Sequence, residues 1–247
     1  MTNFQPLILV GSVVGGFVTG LAGFGTGITA LPFWLAAVSP QLAAPLVVTC
    51  SVVAQLQTLP SIWRTIDFPR VRPFILGGLT GVPFGTLLLP YVPVGVFKAG
   101  VALLLIIYCS FLLIGQLRFE LKWGGRIADG AIGVGGGFLG GLAGLSGPLP
   151  TMWAGLRGWS KEAKRGVFQT YNLSVLTFAL MAQSVAGLMT VEFGRLFLIA
   201  LPGTIAGAWL GRRLYGRLSN RRFEHAILIL LLISGFSLLF SASTSRT

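Results

Sequence analysis

Residues 15–23 read GGFVTGLAG, and residues 136–144 read GGFLGGLAG: seven of nine positions are identical at a constant offset of 121. The same offset sets Thr49 against Thr170 and Ser51 against Asn172. After a small change of register, Gly81, Gly85 and Phe97 meet Gly207, Gly211 and Phe223. The correspondence therefore runs the length of the chain, and the sequence divides into two copies of one unit, residues 6–117 and 127–243. The charged connection 118–126 joins them.

Composition states what solvates these units. Of 247 residues, 54% are hydrophobic and 10% charged, and the mean hydropathy is +0.84. A soluble domain carries far more charge. Apolar runs long enough to cross a bilayer core, roughly 20 residues each, recur throughout, and six to eight segments fit. The net charge of +12 does not point to nucleic acid, because the basic residues cluster in short connections between apolar runs, as in cytoplasmic loops facing anionic lipid. The first apolar run, from Pro6, has no basic residue before it and no cleavage site after it, so a retained N-terminus is expected. Cys50 and Cys109 lie in separate apolar runs and read as buried thiols rather than a disulfide or metal site.

Each unit opens with a glycine-interrupted apolar stretch, Pro6 to Val38 and Ile127 to Leu156, followed by three ordinary spans. These are expected at about 42–63, 73–92 and 94–117, and at about 166–188, 191–211 and 225–242. The opening stretches are too long for one helix and break at Gly23-Phe24-Gly25-Thr26-Gly27 and Gly144-Leu145-Ser146-Gly147-Pro148. Were each to cross the membrane once, ten Lys/Arg would fall outside and eight inside, against the positive-inside tendency. Were each a hairpin entering and leaving on one face, fifteen would be cytoplasmic and only Lys98, Arg195 and Arg246 external. The hairpin reading gives an all-α polytopic membrane protein of two inverted repeats, each a broken re-entrant helical hairpin plus three transmembrane helices. Both termini are then external.

Non-helical backbone at membrane depth survives only where protein or a water-filled cavity satisfies it. A helix that starts at such a break aims its free N–H groups and positive dipole end into the membrane, which favours an anion. The expected site comprises Gly23, Gly25, Thr26 and Gly27 from the first break and Gly144, Ser146 and Gly147 from the second. Thr26 and Ser146 are read as added hydroxyl donors, and Pro148 suits a first helical position. Among polar residues within the second and sixth spans (Thr49, Ser51, Gln55, Gln57, Gln169, Thr170, Tyr171, Asn172), the site is expected to include Thr49, Gln169 and Asn172. Close helix packing is the expected role of Gly16/Gly20, Gly137/Gly141 and the ladders Gly77/Gly81/Gly85 and Gly203/Gly207/Gly211. Asp67, Glu120, Asp129, Glu162, Glu192, Glu224 and His225 all fall at or near segment ends, which leaves no carboxylate for a midplane proton or sodium relay. No catalytic grouping, cofactor site or metal cluster is legible.

The paired segments GGFVTGLAGFGTG (15–27) and GGFLGGLAGLSGP (136–148), with Pro32 and Pro150 soon after, resemble the duplicated signature of the sulfite exporter TauE/SafE family over the whole chain. The resemblance implies a permease, not an enzyme, for small sulfur oxyanions or organosulfonates in a prokaryotic inner membrane, and it maps the family's glycine segments onto residues 20–27 and 141–148. The second copy departs from a glycine run at Ser146 and Pro148. The partners expected are a small anion, such as sulfite or an organosulfonate, and the lipid bilayer, with assembly into homo-oligomers left open. Two other readings stand beside transport. One is a passive channel for a small solute or anion, against which the absence of Asn-Pro-Ala at the breaks counts; the other is an intramembrane enzyme or assembly factor.

Overall fold

The computed structural model describes residues 5–61, 66–114, 124–157, 159, 161–214 and 221–244. These residues form ten α-helices: α1 Gln5–Ala22, α2 Thr26–Leu35, α3 Pro40–Thr58, α4 Phe68–Leu88, α5 Val94–Ile114, α6 Gly125–Ala143, α7 Pro148–Leu156, α8 Lys161–Val185, α9 Val191–Leu214 and α10 Arg221–Thr244. Among the described residues, five segments are long and apolar enough to cross a membrane: α1, α3, Phe68–Tyr91 containing α4, Val94–Leu113 within α5, and α9. Basic connections are shorter than the sequence reading has them. Helix α8 starts at Lys161, so Lys164 and Arg165 stand on its opening turns, while Arg212 and Arg213 occupy the last turn of α9. Arg64, residues 118–123, Arg217 and Arg246 lie outside the described residues, as do the side chains of Lys161, Glu162, Arg221, Arg222, Glu224 and His225.

Local chemistry explains the helix ends. Asp67 caps α4 by accepting the Arg70 backbone N–H at 3.2 Å, and Pro40 and Pro148 open α3 and α7, where a missing N–H is harmless. Helix α6 stops because Gly144 turns left-handed, φ 69°, while the N–H of Leu145 reaches back to the Leu139 carbonyl at 3.1 Å.

The two arms of each broken stretch run antiparallel. Thr19 touches Thr26, and at the far end the indole N–H of Trp34 donates to the Ile8 carbonyl at 3.0 Å. In the second stretch Gly140 lies against Ser146, and the Trp153 indole donates to the Asp129 carboxylate at 2.7 Å. Positions 8 and 129, which receive these two indoles, are equivalent at the offset of 121. Each indole bond contributes about 1 kcal/mol and closes the open end of its pair of arms.

Each pair of arms packs mainly on the other unit. A Cβ at Gly77, Gly81 or Gly85 of α4 would collide with the carbonyl oxygens of Gly130, Val134 and Phe138 of α6. The residue numbers rise together, so these helices are parallel with backbones in contact. Gly16 and Gly20 of α1 meet the carbonyls of Thr204 and Ala208 of α9, and Gly207 and Gly211 of α9 meet those of Val13 and Phe17. The four-residue ladders are thus the packing surfaces expected of them. Helix α5 packs on α10, α3 on α8 and α9, and α8 on α4. Exchanging α1–α5 for α6–α10 turns each of these pairings into another of the set or into itself. Helices α3 and α8 are antiparallel: Thr58, at the end of α3, bonds Gln169, near the start of α8. Large apolar side chains such as Leu76, Phe84, Leu198, Ile233 and Phe240 point outward, which suits lipid rather than water.

Candidate functional site

The two breaks lie side by side. A Cβ on Gly27 would approach the Gly144 carbonyl to 2.7 Å, and one on Gly147 would approach the Phe24 ring to 2.8 Å. Between them is a narrow cleft, open on one side and backed by the middle turns of α3 and α8. Ten of its lining residues are five pairs related by the offset of 121: Phe24 with Leu145, Gly25 with Ser146, Gly27 with Pro148, Ser51 with Asn172, and Gln55 with Leu176. The cleft is therefore built from equivalent positions of the two units.

Its polar groups are neutral, with one unpartnered amide donor and one unpartnered amide acceptor. The Ser146 hydroxyl donates to Asn172 Oδ1 at 2.6 Å, which fixes the amide and directs its NH2 group away from that bond. Asn172 is 1% exposed, and its Nδ2 has no hydrogen-bond partner. It stands 3.4 Å from where a Gly147 side chain would begin. Across the cleft, Gln55 is 1% exposed with Oε1 unpartnered, and Ser51 is 3% exposed.

Helix α2 adds backbone donors. Thr19 Oγ1 accepts the Thr26 N–H at 2.8 Å, which leaves the N–H groups of Gly27 and Ile28 at the cleft with no acceptor inside the helix. Helix α7 adds less, because Pro148 and Pro150 have no N–H and Leu149 alone supplies one in its first turn. Among the described residues, none that lines the cleft is charged. Phe24, held edge-on to Phe168 with ring centres 6.3 Å apart, forms an apolar wall.

Of the residues expected at the site, the structure brings Gly25, Gly27, Gly144, Ser146, Gly147 and Asn172 to the cleft. Four stand elsewhere. Thr26 faces α1, its hydroxyl 2.7 Å from that of Thr19. Thr49 returns its hydroxyl to the Pro45 carbonyl of its own helix at 2.9 Å. Gln169 bonds Thr58 one turn beyond the cleft, and Gly23 lies against Gln169 and Arg165. Ser51 and Gln55 are the polar residues that the sequence reading left out of the site. The available signal was the repeat itself, since Ser51 is the equivalent of Asn172 and Gln55 lies one helical turn further along the same face.

A family model described as sulfite exporter TauE/SafE matches residues 7–238. No curated protein and no solved structure matches the chain. The chain belongs to the sulfite exporter TauE/SafE family, and membership implies a multi-pass membrane transporter of small sulfur-containing anions.

Proposed function

With that membership as premise, we propose that the chain exports sulfite or a related organosulfonate across a bacterial-type inner membrane and holds it in the cleft between the two breaks. The observation that carries this reading is the Asn172 amide: oriented by Ser146, buried, and unpartnered on its donor side. An unsatisfied buried donor costs about 1–3 kcal/mol, and an anion in the cleft would satisfy it together with the Gly27 and Ile28 N–H groups.

The two units, 6–117 and 127–243, are in this reading inverted repeats whose hairpins dip from opposite faces, with both termini outside. The antiparallel course of the equivalent helices α3 and α8 supports that plan, as does the placing of Arg70 and Arg72 on the first turns of α4, Arg157 just after α7 and Arg165 on the opening turns of α8, all at ends assigned to the cytoplasm. Rocking of one unit against the other would open the cleft to each side in turn. An inside-negative potential favours exit by about 2.3 kcal/mol per charge at 100 mV, so export needs no coupling ion. Purified protein in liposomes is expected to pass sulfite above the rate of protein-free vesicles. Asn172→Leu is expected to lower that flux at least about tenfold with little change in thermal stability. Equal flux in the two proteins would remove the site.

A further inference from the structure

We infer that the cleft takes its guest with a single negative charge, so that sulfite crosses as the hydrogen-bearing monoanion and doubly charged oxyanions are refused. This rests on the export reading above and adds to it the charge state of the cargo.

Among the described residues the cleft is lined by amide, hydroxyl and backbone N–H groups, with no cation. Attraction between an anion and fixed dipoles grows in proportion to its charge, whereas the cost of taking it out of water grows with the square. A dianion therefore carries about four times the desolvation cost of a monoanion of its size against about twice the attraction. Holding a dianion without a fixed positive charge takes a full set of converging neutral donors; the cleft offers few, the Asn172 amide and the N–H groups of Gly27 and Ile28, and sets the unpartnered Gln55 Oε1 among them, while the nearest cations are placed elsewhere. Arg165 stands on α8 beside Gly23, outside the lining, with Lys164 a turn from the start of the same helix. Arg212 of α9 donates to the Gln57 carbonyl at 2.8 Å. Among the described residues, the other titratable groups on the elements around the cleft are Cys50 on α3, Tyr171 on α8, whose hydroxyl donates to the Gly133 carbonyl, Arg126 and Asp129 on α6, the latter holding Trp153, and Arg157 at the end of α7. None lines the cleft.

It follows that pH dependence comes from the cargo and not from a titrating side chain. Sulfite gains its second charge near neutrality, methanesulfonate is singly charged throughout, and sulfate is doubly charged throughout. The full chain is reconstituted in liposomes at clamped potential, protein-free vesicles are subtracted, and flux and current are recorded for the three anions at pH about 6 and about 8. The expected result is an approximately tenfold fall in sulfite flux at fixed total concentration, following the monoanion fraction, with one charge moved per sulfur atom at both values. Methanesulfonate flux is expected to stay constant and sulfate flux to be absent. Two charges per sulfur atom at the higher pH, a sulfite flux indifferent to pH, or sulfate carried as well as methanesulfonate would overturn the inference and leave export standing. Absence of flux for all three anions would overturn both.

Discussion

At the scale of single residues the cleft depends on one hydrogen bond. Ser146 sets the direction of the Asn172 amide; without it the amide is free to turn, and Oδ1 loses its partner. Ser146→Ala is expected to raise the half-saturating sulfite concentration about 5–10-fold, equivalent to about 1 kcal/mol, with a smaller effect on maximal flux; an unchanged concentration dependence would separate Ser146 from binding. Residue by residue, the sequence was legible where backbone geometry leaves a compositional trace. Gly25 has φ 125°, a conformation that few residues other than glycine adopt, so the first break was visible as glycine. Polar side chains inside helices leave no such trace. Thr49 and Ser51 are two positions apart on one helix, about 200° around it, and periodicity alone does not say which side faces the cleft. The match of Ser51 with Asn172 carried that information. Gln169 misled for a similar reason, lying three residues before Asn172 on nearly the same face but bonded across to Thr58.

At the scale of elements, stability rests on backbone contact between glycine-faced helices. Gly81 of α4 abuts the Val134 carbonyl, whereas Gly100 of α5 has open space where a side chain would go. The two therefore make a controlled pair. Gly81→Ala is expected to destabilise by about 2–3 kcal/mol through forced separation of α4 and α6, and Gly100→Ala to stabilise by about 0.5–1 kcal/mol through helix propensity. Thermal unfolding in detergent, with the two variants measured side by side, checks the signs; equal shifts would contradict parallel, touching backbones. The ladders themselves were plain in the sequence as small residues every fourth position. Their partners were not, since a stripe of glycines states that some backbone comes close without naming which. That α4 pairs with α6 and α1 with α9, across the two units, is a property of three-dimensional packing.

At the scale of the whole molecule the fold follows from two opposed demands. Lipid requires continuous, internally bonded helices, yet an anion held as proposed above needs free N–H groups within the membrane. The chain meets both by breaking one helix in each unit and covering each break with the other unit, so that ten of the residues lining the cleft come as five equivalent pairs. The repeat is not perfect, and the imperfection is functional in this account: the position equivalent to Gln55 is the apolar Leu176, and the prolines of α7 leave α2 as the stronger donor. Duplication and basic connections are written in one dimension, which is why the sequence carries the expectation of two units. The uneven division of donors was hidden until the two breaks were seen in contact.

The central claim is that two broken hairpins enter from opposite faces and meet at one anion-holding cleft, and sidedness of the connections tests it most directly. Cysteines introduced singly as Arg72→Cys, Arg157→Cys and Lys98→Cys are labelled with a membrane-impermeant thiol reagent in intact cells and again after the membrane is opened; Cys50 and Cys109 are buried and give the wild-type baseline. The account expects positions 72 and 157 to be shielded together until the membrane is opened and position 98 to react in intact cells. If positions 72 and 157 instead lie on opposite faces, each broken stretch crosses the membrane once, and the opposed-hairpin geometry of the site is wrong.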